Sequence, residues 1–178
     1  LAPDFHTFRA NSAFDPDETA TGHSLKGFDI QAGIYNDYTV LGCAYKITFI
    51  TNGSTKKLCG ALVTTNSALG SNFDTQSEVM ETTGKYNRKI LLQGSGDSDE
   101  EVKSIKGYIP MSKFMFTTGG SFSEQFTSGV TQNPSTPVRI HVWGMNEDGT
   151  ALAADNLIAR VMLKYYVIYS GVVAATAS

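Results

Sequence analysis

From Leu41 to Phe49 the chain alternates with a period of two: Leu41, Cys43, Tyr45, Ile47 and Phe49 are apolar, and Gly42, Ala44, Lys46 and Thr48 fall between them. Successive side chains of a strand point to opposite faces, so this spacing predicts a strand over about residues 38–50 with its odd positions on a core. A second run of the same kind closes the chain. Ala159, Val161, Leu163, Tyr165, Val167 and Tyr169 share one phase, opposite Arg160, Met162, Lys164, Tyr166 and Ile168.

Between these two runs, shorter extended segments are expected around Leu58–Thr65, at residues 88–93, from Val102 to Ile109 and at Val138–Val142, with an opening strand around Phe5–Ala10. Pro110 interrupts the segment from Val102 to Ile109, since proline cannot donate to a strand ladder. No 10–15 residue stretch has helical periodicity, which excludes a βαβ arrangement. The expected class is all-β, an eight-stranded antiparallel jelly-roll sandwich. An immunoglobulin sandwich is disfavoured because Trp143 follows both cysteines instead of lying between them.

The 178 residues suit one domain. Its expected parts are an N-terminal arm and first strand over 1–33, a jelly-roll core over 34–170 and a C-terminal tail over 171–178. Residues 66–87 are polar and aperiodic, hence a long loop of the kind that carries recognition. Asn52-Gly53-Ser54 matches a glycosylation sequon, but an Asn-Gly turn between strands explains it as well.

Only 17% of residues are charged, and the formal net charge is −3. That excludes a nucleic-acid surface spread over the whole domain and leaves room for a local basic patch. The candidate phosphate-contacting residues are Arg9, Lys56, Lys57, Arg88, Lys89, Lys103, Lys106, Arg139, Arg160 and Lys164. Lysines at sheet edges also discourage unwanted strand pairing, which is the competing explanation for each pair.

Catalytic constellations are missing from the sequence. His6, His23 and His141 lack zinc-site spacing, and there is no nucleophile elbow, phosphate-binding loop or dinucleotide fingerprint. No enzyme activity and no cofactor are expected. Asp97, Asp99 and Glu101 are weak candidates for a structural calcium site, without the spacing of a helix-loop-helix calcium loop. Cys43 and Cys59 have neither metal-site spacing nor the density of a disulfide framework, and are expected to be buried free thiols. No apolar run is long enough to cross a bilayer as a helix, so no membrane partner is expected.

The stretch YNDYTVLGCAYKITFI resembles capsid proteins of small circular single-stranded DNA viruses, the circovirus-like group, through Tyr35, Tyr38, Val40, Gly42, Lys46, Ile47 and Phe49. The closing ARVMLKYYVIYS is similar to their long terminal strand through Lys164, Tyr165, Tyr166 and Tyr169, and KSIKGYIPMSKFM and VRIHVWGM follow in compatible order. The resemblance implies a single jelly roll that assembles with many copies of itself into an icosahedral shell around a viral genome, without catalysis. It implies a virion location, a passage through the host cell or its nucleus during assembly, and an unidentified host receptor. A basic arm is usual in that family. Arg9 is the only Lys or Arg in the first 25 residues, so viral nucleic acid is expected to be held by an arm preceding Leu1.

Aromatic residues are enriched in both cores and interfaces. Phe28, Tyr35, Tyr38, Trp143 and Tyr166 are therefore expected to anchor either one. The alternative function is a jelly-roll module binding carbohydrate or a cell-surface receptor, with a site drawn from the 66–87 loop and Trp143.

Overall fold

The computed structural model describes residues 4–18, 23–51, 55–65, 87–93, 101–114, 127–148, 152 and 157–173. Eight strands run in chain order: β1 (Asp4–Arg9), β2 (Tyr35–Thr51), β3 (Lys57–Thr64), β4 (Arg88–Leu92), β5 (Glu101–Pro110), β6 (Thr127–Gly129), β7 (Arg139–Asn146) and β8 (Leu157–Val172). Two short helices accompany them, α1 (Phe28–Ala32) and α2 (Met111–Phe114).

One four-stranded sheet has the order β1-β7-β3-β4; the other has the order β5-β2-β6, with β8 also pairing with β2. Thus β2 pairs with β8 in one sheet and β3 pairs with β7 in the other. The pairs are nested along the chain and alternate between sheets, as when a long hairpin is rolled up. This is the wrap of a jelly roll, and the chain is an eight-stranded, mostly antiparallel β-sandwich of that type. The β3–β7 register runs from Lys57 opposite Asn146 to Thr64 opposite Arg139, and β3 pairs with β4 from Lys57 opposite Leu92 to Ala61 opposite Arg88.

By its internal contacts the chain forms two units. The first comprises 1–7, 45–107 and 139–163, and the second 8–44, 108–138 and 164–178. In the first, β3 and β7 are buried along nearly their whole length. Leu58, Leu62, Trp143 and Met145 pack on one side. On the other, Leu157 and Leu152 lie against the space that a side chain on Gly144 would fill. Both faces of this strand are covered: Ile140 and Val142 are buried on one, and His141 and Trp143 on the other. His141 Nδ1 and Thr7 Oγ1 share a hydrogen bond of 2.9 Å.

The second unit is centred on Tyr38, which has no exposed surface. Its ring meets Phe28 edge-on at 5.2 Å, and Phe28 in turn lies 5.9 Å from Tyr169. The Tyr38 hydroxyl donates to the Gln132 carbonyl at 3.0 Å and lies 3.2 Å from Ser12 Oγ, so the buried polar tip is satisfied. Asn11 ties the neighbouring segment: its amide donates to the Thr136 carbonyl and its Oδ1 accepts from the Val138 N–H.

One expectation for the opening strand fails. Tyr38 and Val40 are buried on even positions, whereas Cys43, Tyr45, Ile47 and Phe49 are buried on odd ones. The alternation therefore slips by one residue at Leu41–Gly42, as a bulge makes it do. Leu41 is consequently 37% exposed instead of facing the core. Gly42 is covered by the Tyr108 ring, which occupies the space of its absent side chain. Helix α1 had no periodic signal. It follows Gly27, whose φ of 86° is a left-handed conformation that glycine adopts without strain.

Candidate interaction surfaces

The described residues converge on no catalytic or metal centre; among them, no group of three His, Cys, Asp or Glu is placed to hold a metal ion. Asp97 and Asp99 lie outside the described residues. Glu101 accepts from the Gln93 N–H and pairs with Lys103 at 2.6 Å, and the Lys103 hydrogen bond lowers its carboxyl pKa. The Asn52-Gly53 turn and residues 66–86 also lie outside the described set. Among the described residues no helix is long and apolar enough to cross a membrane. What the described residues do present is two surfaces, one in each unit.

In the second unit, apolar side chains gather where α1, the start of β2 and the end of β8 meet. Ile30 and Val172 are each 70% exposed, and Ile34, Ile168 and Val173 are exposed as well. The Val173 N–H donates to the Ile34 carbonyl at 2.8 Å, which fixes these two side chains as neighbours on adjoining segments. Tyr108 and Tyr166 add exposed rings, packed edge-to-face at 5.8 Å. Isolated exposed apolar residues are ordinary, but a group this dense marks a surface that something covers.

In the first unit, the outward phases of β5, β2 and β8 carry Lys106, Lys46 and Arg160, all exposed. Thr48 Oγ1 and Ser104 Oγ share a hydrogen bond of 2.8 Å across β2 and β5, and the Tyr45 ring lies where a side chain on Gly107 would be. Each of these pairs sets the same antiparallel register, which puts Lys46 directly opposite Lys106.

The sequence-predicted cations are otherwise scattered or already neutralised. Arg9 binds Asp15 at 2.6 Å and lies 3.7 Å from Glu18; Lys56 lies 3.8 Å from Glu147. Lys57 is buried and its ammonium donates to the Thr55 carbonyl at 3.2 Å. Arg88 and Lys89 sit on β4, where burial lowers the Lys89 pKa. Arg139 donates to the Thr65 carbonyl, and Lys103 to the Leu91 carbonyl as well as to Glu101. Lys164 lies 5.3 Å from the centre of the Tyr166 ring. Lys106 and Arg160 thus lie on strands that pair with β2, which carries Lys46; sequence reasoning passed over Lys46 although its place in the alternation already put it on the solvent side.

The five aromatic anchors also divide. Phe28, Tyr38 and Trp143 are core residues. Tyr35 is half-buried and stacks on Tyr169 at 5.7 Å, and Tyr166 is exposed. Burial removes Trp143 from the alternative carbohydrate- or receptor-binding site. Both cysteines are free and buried, and burial pushes each thiol up to about 12.

What the fold defines at this point is a class: a jelly-roll sandwich without a catalytic constellation among its described residues. No protein-family model and no curated protein matches the sequence. Solved structures of Sacbrood virus of honeybee do match it. In expansion state II the identity is 11% with a TM-score of 0.47, covering 100% of this chain and 86% of that one. Expansion state I gives 14% and 0.39, over 97% and 86% of the two chains, and a further structure of the virus gives 13% and 0.36, over 97% and 72%. The resemblance to capsid proteins of circular single-stranded DNA viruses is corrected accordingly: no family model supports it, and the solved structures that match are of an RNA virus. The motifs behind it were apolar alternation and small residues, which any long jelly-roll strand needs.

Proposed function

We propose that this chain is a structural, non-enzymatic protein that associates with copies of itself into a closed shell, in the manner of a viral capsid, and resides in the virion. The observation that carries this reading is the exposed apolar group of Ile30, Ile34, Ile168, Val172 and Val173 on a jelly-roll scaffold. Jelly rolls serve shells because their strands form a rigid block whose ends and loops are free to contact neighbours. Repeated contacts between identical chains close into a particle when symmetry permits. Fully burying one Val, Leu or Ile side chain contributes roughly 1.5–3 kcal/mol, so a few half-exposed ones per interface suffice once the contact is repeated around a shell.

The exposed group favours self-association over a monomeric carbohydrate- or receptor-binding module, which would need an accessible aromatic platform where Trp143 is instead buried. Electron microscopy of the purified protein in negative stain tests the reading. Hollow particles of uniform diameter are expected. A chain that stays monomeric at high concentration across a range of salt and pH overturns it.

A further inference from the structure

We infer that the outward face of β5, β2 and β8 in the first unit is a binding site for the phosphate backbone of a single-stranded nucleic acid, held by Lys46, Lys106 and Arg160. This goes beyond the shell reading and does not depend on it.

The first ground is a placement that a sheet does not choose for its own stability. Like charges directly opposite each other on neighbouring strands are destabilising, yet the Thr48–Ser104 register sets Lys46 against Lys106. Edge protection explains a lysine on β5, which ends the order β5-β2-β6, but not one on β2, which has paired strands on either side. An anion lying between the two ammonium groups turns the repulsion into attraction. Arg160 lies on the outward phase of β8, which also pairs with β2.

The second ground is charge complementarity. The chain carries more acidic than basic residues, 17 against 14. Nevertheless the outward positions of these three stretches include no carboxylate: the residues flanking the cations are Thr48, Ser104, Val102, Ile158 and Met162. Other described cations have found carboxylates, as Arg9, Lys56 and Lys103 have. Among the described residues, no carboxylate is paired with the cations of this face.

The choice of a single strand follows from the flanks. Val102, Ile158 and Met162 are exposed apolar side chains beside the cations, Met162 being 68% exposed. Unpaired bases can rest on such positions while their phosphates meet the charges. A duplex offers only its backbone and gains nothing from them.

Fluorescence anisotropy of a labelled oligouridylate, measured over a series of salt concentrations, tests the site. The measurement is made on the parent and on an Ile168→Glu variant, each with its association state read by sedimentation velocity, so that failure to assemble and failure to bind are read separately. Three phosphate contacts to a single strand predict a slope of log affinity against log salt of about −2, at about −0.7 per contact. K46Q, K106Q and R160Q should each remove about one contact's share of the slope, and the triple variant nearly all of it. K26Q, which changes a cation outside the strands, should leave it unchanged. Because the three residues are exposed, the variants should keep the far-ultraviolet circular dichroism of the parent, and at low salt K46Q should melt no lower than the parent. A triple variant that binds with unchanged affinity and slope overturns the inference. So do equal affinity for a duplex of the same length, binding to phosphatidylserine vesicles without binding to the oligonucleotide, and no binding at all.

Discussion

Tyr38 and Cys43 in the second unit and Cys59 in the first are buried groups through which each unit can be tested by itself. Tyr38 satisfies its hydroxyl through Gln132 and Ser12 inside an otherwise aromatic cluster. Tyr38→Phe leaves those partners short of a hydrogen bond and should cost about 1–3 kcal/mol in urea unfolding. Tyr166→Ala, at an exposed ring, should stay within about 0.5 kcal/mol in the dissociated chain. Cys43 and Cys59 have thiols pushed up to about 12 by burial. Since the thiolate is the nucleophile, neither should react with iodoacetamide at pH 8 until the chain is unfolded, a result read by mass spectrometry. The sign of the pH effect follows. In the unfolded chain these thiols lose their protons near pH 9, while in the fold they keep them to about pH 12. The unfolded state therefore binds fewer protons in that window, and the urea midpoint should fall as pH rises through it. Burial raises the Tyr165 and Tyr38 hydroxyls too, so their contribution has the same direction.

At the scale of elements, the strands were largely legible because alternation is a direct consequence of backbone geometry. The extents of β2, β3, β4 and β8 lie within a few residues of where composition and period put them. What alternation did not reveal was the slip at Leu41–Gly42. Leu41 is apolar and so satisfies the pattern in either register; only the placement of Tyr108 over Gly42 shows which way the strand turns. Leu41→Ala should therefore cost far less than Ile47→Ala, for which a fully buried position predicts about 2–5 kcal/mol. Strand β7 is buried on both faces, and alternation by itself does not tell a strand with one wet face from one with none; Leu152 and Leu157 help to cover it at Gly144. Close packing in this unit also fixes Gly60, where a methyl group would meet the Arg88 carbonyl and the Trp143 ring. Gly60→Ala should destabilise by about 1–3 kcal/mol in the same unfolding measurement. The cationic face was half legible: Lys106 and Arg160 stood out as basic residues, but their meeting with Lys46 depends on strand register, which sequence does not encode locally.

For the whole molecule, the proposed role rests on association and not on chemistry at a cleft. The apolar group on Ile30, Ile34, Ile168, Val172 and Val173 is exposed in the single chain and is the surface that association would cover. The resemblance read from sequence pointed toward shell proteins through apolar patterning, yet the particular virus group it suggested does not stand. Patterning reports the strands of a jelly roll, while the identity of its relatives would have to come from loops and termini that vary most. Sedimentation velocity of the parent chain beside its Val172→Glu variant tests the central claim most directly. The parent should sediment as one large, uniform species and the variant as a folded monomer. A parent that remains monomeric, or a variant that assembles as the parent does, would contradict it.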